Sequence, residues 1–232
     1  MQGLGFCFSI PLYFFFQRFL RPSSSDSSIP VHRARALLPG LLLGAVLPSI
    51  AIFLPGSYIT PHTRQGLIGF WQFIPVWFCL SQNLFAFLFP AREKPGADLP
   101  ALYSVYGFLT FFSLVVHAYV ASYILDAADP WQTARNVFVP AAWGSSTSLA
   151  QTAVTLLRWD FILGVGAAVV WTYMNVWAAV KQKSAGKAVG LAVLFTVGSV
   201  AVGPGFMIPA GFRWREEKLR DGPVEEDGKK EQ

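Results

Sequence analysis

The sequence predicts an all-α fold, a polytopic transmembrane helical bundle of about five to seven spans. Three observations lead there. Only 13% of the 232 residues are charged and 53% are apolar, against about 25% charged in an ordinary soluble domain. The apolar residues, among them 21 Phe and 8 Trp, fall in long runs, and mean hydropathy is +0.45. The cations sit between those runs rather than on one polar face. Too little polar surface remains to cover a core in water, so the lipid bilayer is the expected partner and solvent.

The first run, residues 3–16, is closed by Gln17, Arg18 and Arg21 and followed by a Ser-rich loop. It reads as a retained, short span rather than a signal peptide: no basic segment precedes it, Pro11 and aromatics replace the usual Leu/Ala core, and no A-x-A site follows. The second run, 36–54, contains Pro39 and Pro48 and ends before Pro55, which suggests a kinked helix with freed carbonyls. The third, 66–89, is long enough for one tilted span and carries Trp71, Gln72, Pro75, Trp77, Gln82 and Asn83. A charged loop from Arg92 to Asp98 precedes the fourth run, 103–125, whose one ionisable residue is His117 and whose far end is marked by Asp126 and Asp129.

Residues 131–157 are mixed and read as a loop plus an interfacial helix near 152–158, or as a poor span. The fifth run is 159–180; the last, 188–212, is interrupted by Gly203-Pro204-Gly205 and Pro209. The expected organisation is a transmembrane helical domain over 1–212 and a polar, partly disordered tail over 213–232.

A net charge of +5 could mean a nucleic-acid partner in a soluble protein. Here no basic cluster is interleaved with exposed aromatics, so nucleic acid is set aside. With six spans, nine loop Lys and Arg fall on one side (18, 21, 33, 35, 92, 94, 181, 183, 187) and three on the other (64, 135, 158), the asymmetry that orients membrane proteins. The basic tail, Arg213 to Lys230, would then lie on the poor side, unless 131–157 hides a further span or the last run is re-entrant. No inverted repeat or matched pair of broken helices is evident, which weakens a secondary-transporter reading. Cys7 and Cys79 lie in apolar runs without metal or disulfide spacing and read as packed thiols.

Polar groups inside apolar runs are costly, so each is a candidate site residue. Asp160, in Arg158-Trp159-Asp160 at the mouth of the fifth run, is the most informative. Desolvation beside apolar rings favours the neutral acid, which can donate a proton. The competing reading is a helix N-terminal residue paired with Arg158. His117, near mid-span, is either a packed core histidine or a group that orients substrate. Gln65 and Gln72, seven residues apart, would share a helical face beside Trp71. Gln72 and Asn83 serve equally well as interhelical glue. His62 can cap the third span or line a cavity mouth. Asp126 and Asp129 would form a metal-binding pair on a continuing helix, but Pro130 favours a solvated helix end. Tyr119, Trp71 and Trp159 can supply ring faces.

The sequence carries no P-loop, G-x-G-x-x-G, H-E-x-x-H, G-x-S-x-G or His-rich box, and no cofactor or metal is expected. What is left, a candidate acid, a histidine, several amides and many rings in an apolar bundle, suits proton-initiated chemistry on a hydrophobic substrate. Carbocation cyclisation fits those parts: an acid starts the reaction, rings stabilise the cation, and a dry site delays capture by water.

The stretch from Thr63-Arg64-Gln65-Gly66 through Trp71-Gln72-Phe73-Ile74-Pro75, with Leu54-Pro55-Gly56 before it and Leu157-Arg158-Trp159-Asp160 later, resembles the fungal membrane-bound terpenoid and meroterpenoid cyclases of ascochlorin and ascofuranone type. The resemblance implies an integral membrane enzyme, expected in the endoplasmic reticulum, that opens a terminal epoxide or protonates a terminal alkene of a prenylated terpenoid without a metal. It points to Trp71 and Gln72 in W-Q-x-x-P and to Asp160 in R-W-D. The acidic pair of the pyripyropene-type cyclases has no match, because no Glu lies inside an apolar run. The leading assignment is Asp160 as acid, His117 and Gln72 as orienting or relay groups, and Trp71, Tyr119 and Trp159 as cation-stabilising rings. Gln65, Asn83 and His62 would contact substrate. The alternatives are a sterol or prenyl isomerase, a transporter or lipid-binding protein that holds its ligand unchanged, and a structural subunit.

Overall fold

The computed structural model describes residues 6–20, 29–89, 97–142, 148–180 and 183–220. The described residues form helices without strands: α1 Phe6–Leu20, α2 Val31–Leu41, α3 Leu47–Ile52, α4 Pro61–Trp71, α5 Ile74–Leu88, α6 Leu99–Leu125, α7 Pro130–Phe138, α8 Leu149–Ala179, α9 Ala185–Ala201 and α10 Pro204–Arg220. A π-helical turn, Leu42–Val46, joins α2 to α3. Three helices are long and apolar enough to cross a membrane: Val31–Ile52, Leu99–Leu125 and Leu149–Ala179. The chain divides into two compact units, a contiguous one (residues 24–108) and a discontinuous one (1–23 with 109–232).

In the contiguous unit, the expected kink of the second run is taken up by the π-helical turn. Pro48 has no N–H for the carbonyl four residues back, and Ser49 Oγ donates to the Ala45 carbonyl at 2.8 Å. Gly40 and Gly44, one turn apart, let this helix approach α5 closely. A Cβ built on Gly40 would stand 2.9 Å from Gln82 Cα, and one on Gly44 2.6 Å from Phe78 Cα. This is the small-x-x-x-small packing of membrane helices.

The third run, 66–89, is not one continuous helix. It breaks at Gln72 and Phe73 into α4 and α5, because Pro75 cannot donate to the carbonyl of Trp71. The bend is pinned by Trp77, whose Nε1 donates to the Phe70 carbonyl at 3.0 Å and whose ring stacks on Phe70 at 4.6 Å.

In the discontinuous unit, the fifth run begins ten residues earlier than expected. Ser148 caps α8, its Oγ accepting from Gln151 N at 3.3 Å, and the helix runs unbroken for 31 residues. The interfacial helix expected over 152–158 is the first part of α8, while α7 occupies Pro130–Phe138. α1 packs along α8, with Phe14 stacked on Trp171 at 4.8 Å.

The last run, 188–212, is a helical hairpin rather than one helix. Gly203, at φ 91°, turns the chain between α9 and α10, a conformation that glycine adopts without strain. The antiparallel register follows from close approaches: Gly198 meets Met207, and Gly211 meets Phe195. Val176, Phe195 and Met207 form the buried core of α8, α9 and α10. Lys187 and Lys218 border one cleft, so both ends of the hairpin lie at the same end of α8, an arrangement that agrees with the re-entrant explanation for the basic tail. Residues 213–220 of the expected tail are helical, and 221–232 lie outside the described residues. The break at Gly203, marked in the sequence by Gly203-Pro204-Gly205, and the break at Gln72, which was not expected, put a broken helix in each unit.

Two smaller expectations change. Cys79 is exposed rather than packed. Asp126 and Asp129 do not share a helical face: α6 ends at Leu125, and Asp129 Oδ1 caps α7 by accepting from Gln132 N at 2.9 Å.

Candidate functional site

The break between α9 and α10 gathers polar groups inside apolar helices. Pro204 opens α10 without a donor, and the Gly203 carbonyl accepts from Phe206 N and Met207 N at 3.1 and 3.3 Å. Helix α6 presents Ser113 and His117, one turn apart, to this junction. A Cβ on Gly203 would lie 2.9 Å from His117 Nδ1, and one on Gly205 2.7 Å from Ser113 Oγ. The imidazole therefore packs directly on the backbone of the break.

Asp160 is the twelfth residue of α8, not a helix N-terminal residue, so the helix-dipole part of the competing reading does not hold. It is half-buried. Among the described residues it is the one Asp or Glu within the three long apolar helices. α8 and α10 run parallel, with Thr172 against Gly211; that register puts Gly203 level with the buried Gly164. Asp160 is one turn away, about 6 Å along the axis. It shares its face of α8 with Gly164 and Trp171, the ring that stacks on Phe14. Trp159 Nε1 is buried and has no hydrogen-bond partner among the described residues. Tyr119 is 72% exposed and stands apart from this cluster.

The other candidates belong to the contiguous unit. Trp71, at the end of α4, donates its Nε1 to Ser49 Oγ at 3.0 Å. Gln72 follows as the C-cap residue, its N–H on the Ile68 carbonyl at 3.2 Å. Gln65, Gln72 and His62 are exposed. Asn83 is also exposed and donates from Nδ2 to the Cys79 carbonyl of its own helix at 2.8 Å. Arg64 fixes the loop before α4 by donating from Nη2 to the Leu54 carbonyl.

Sequence reasoning missed three features. Ser49 was not seen as the partner of Trp71, because the two are 22 residues apart. Asp98, placed in a solvated loop, is 1% exposed and accepts from Ile29 N at 3.2 Å; the signal was an Asp immediately before Leu99-Pro100, a helix start. An apolar cleft of about 610 Å³ lies between the end of α8 and the α9–α10 hairpin, lined by residues including Lys187, Leu194, Trp214 and Lys218 and, in size, within the range of small-molecule sites. None of the candidates above borders it.

Comparison with known proteins agrees with the resemblance seen in the motifs. A protein named FAD-dependent monooxygenase verC1, from Penicillium polonicum, is 28% identical over 206 residues, 80% of this chain and 23% of that protein. Terpene cyclase ctvD of Aspergillus terreus is 26% identical over 168 residues, 68% of this chain and 47% of the cyclase. Terpene cyclase ascI of Acremonium egyptiacum is 25% identical over 181 residues, 72% of this chain and 47% of the cyclase. The chain thus spans about half the length of these two cyclases and less of the monooxygenase. No solved structure matches. The model of the CtvD domain matches residues 1–217, a range that holds both the W-Q-x-x-P and the R-W-D elements, and the chain therefore belongs to the CtvD-domain family.

Proposed function

We propose that this chain carries out membrane-embedded terpene cyclisation, initiated by proton donation from Asp160. The observation that carries the reading is the position of Asp160. In a family with relatives named terpene cyclase, it is the one carboxyl among the described residues of the long apolar helices. In the proposed reaction the neutral Asp160 gives its proton to the terminal epoxide oxygen, or to a terminal alkene, of a prenylated substrate. As the C–O bond breaks, a nearby alkene attacks and a C–C bond closes the ring. The last cation returns a proton to the medium or to the site, so the product has the formula of the substrate and one more carbocycle. The rings of Trp159 and Trp171 stand along α8 where they can face the cation. His117, held on the backbone of the helix break, orients or relays. Gln72 and Trp71 are proposed as substrate contacts to be tested one at a time. The endoplasmic reticulum is the proposed membrane.

Metal independence is part of the proposal; its support is that Asp129 is committed to capping α7 and so is not paired with Asp126. Microsomes containing the full chain, given an epoxidised farnesyl-aromatic substrate with and without a chelator, test the reaction type. An isomeric product with one more carbocycle, unaffected by the chelator, supports it. An isomer with no new carbocycle identifies an isomerase instead.

The two broken helices favour one second reading, a protein that holds its ligand unchanged, because interrupted membrane helices commonly form such sites. Substrate retained by the purified chain with no product after long incubation would select it.

A further inference from the structure

We propose that the cleft between the end of α8 and the α9–α10 hairpin binds the phosphate head and upper acyl chains of an anionic glycerophospholipid. This inference is independent of the cyclase reading. The cleft has a volume of about 610 Å³ and walls formed by Ala179, Leu191, Leu194 and Trp214, a size and apolarity suited to acyl chain. The Lys residues that line it, Lys187 and Lys218, stand on different helices. Lys187 lies in the first turn of α9, whose N-terminus adds partial positive charge and is capped by Ser184 Oγ accepting from Lys187 N at 3.3 Å.

Sidedness selects the lipid. Lys187 at the start of α9 and Lys218 near the end of α10 border one cleft, which on this proposal sets both at one leaflet. Lys- and Arg-rich loops lie on the cytoplasmic side, and the cytoplasmic leaflet carries the anionic lipids, each surface cation contributing about 1 kcal/mol of attraction. A cleft with apolar walls and two cations at that level complements one anionic head above its chains. A zwitterionic head has no net charge to be drawn to the two cations.

The purified full-length chain in mild detergent is titrated with phosphatidylserine, phosphatidylcholine or inorganic phosphate, and bound lipid is counted by native mass spectrometry. Phosphatidylserine is expected to bind in preference to phosphatidylcholine, and inorganic phosphate to compete only weakly. Lys187→Gln with Lys218→Gln should weaken phosphatidylserine binding about thirtyfold, from two such cation contributions. Lys187→Arg with Lys218→Arg should retain it. Leu194→Trp, which fills the apolar wall and keeps both cations, should also reduce it and keeps the test decisive if the Gln pair does not fold. Equal binding of phosphatidylserine to wild type and to the Gln or Trp variants overturns the proposal. So does inorganic phosphate competing as strongly as the lipid, which would mean a free-anion site.

Discussion

The imidazole of His117 rests on the backbone of Gly203, where an added Cβ would come within 2.9 Å of Nδ1 at a φ of 91°. Any side chain at 203 therefore meets two obstacles, the left-handed backbone and the ring. Gly203→Ala should lower stability by about 1–2 kcal/mol from the backbone alone, and by more if His117 must move. Thermal unfolding in detergent reads the loss; Gly203→Ala with the melting temperature of wild type would contradict the described break.

Helix α5 and the π-helical turn approach too closely at Gly44 for a methyl group, since the obstructing atom is Phe78 Cα, a backbone atom 2.6 Å from the built Cβ. Gly44→Ala should cost about 1–3 kcal/mol as an overpacked contact. Gly69→Ala, with nothing within 4 Å of its Cβ, is the control and should be neutral or slightly stabilising, because alanine favours helix.

Trp71 and Ser49 share a hydrogen bond of 3.0 Å. A double-mutant cycle of Trp71→Phe and Ser49→Ala should give a coupling of about 0.5–1.5 kcal/mol. Additive effects would mean that the indole is not held there.

The hairpin of α9 and α10 places positions 187 and 218 on one side. In a background carrying Cys7→Ser and Cys79→Ser, Lys187→Cys and Lys218→Cys should both react with an impermeant maleimide from the same face of sealed microsomes. Labelling from opposite faces would make the last run a span.

Much of the fold was legible in the residues, and the errors have physical causes. Apolar run length located the long helices, and Gly203-Pro204-Gly205 marked the last break. Hydropathy cannot see whether a run turns back, however, because both arms of α9–α10 are apolar up to Phe212. Pro75 was visible, but its effect was placed within one tilted span rather than at a bend pinned by Trp77 and Phe70. The Gly40/Gly44 spacing was present and unused. Asp160 stood out as polarity inside an apolar run; its depth in α8 was misjudged because the helix starts at Leu149, ten residues upstream of where the apolar run was placed. His117 was legible as an intramembrane histidine, while its neighbour Gly203 is 86 residues away and only folding joins them. Tyr119 could not be distinguished from an interior ring by composition, since its orientation depends on which face of α6 is covered.

The most direct test of the proposed chemistry is the rate of cyclised product formation by microsomes containing equal amounts of folded wild-type, Asp160→Asn and Asp160→Glu chain, given an epoxidised farnesyl-aromatic substrate. Loss of a positioned general acid typically costs about 10²–10⁴ in rate. Asp160→Asn should fall by that order with substrate still bound, and Asp160→Glu, which keeps a proton to donate, should recover part of the rate. Asp160→Asn forming product at the wild-type rate would contradict the account.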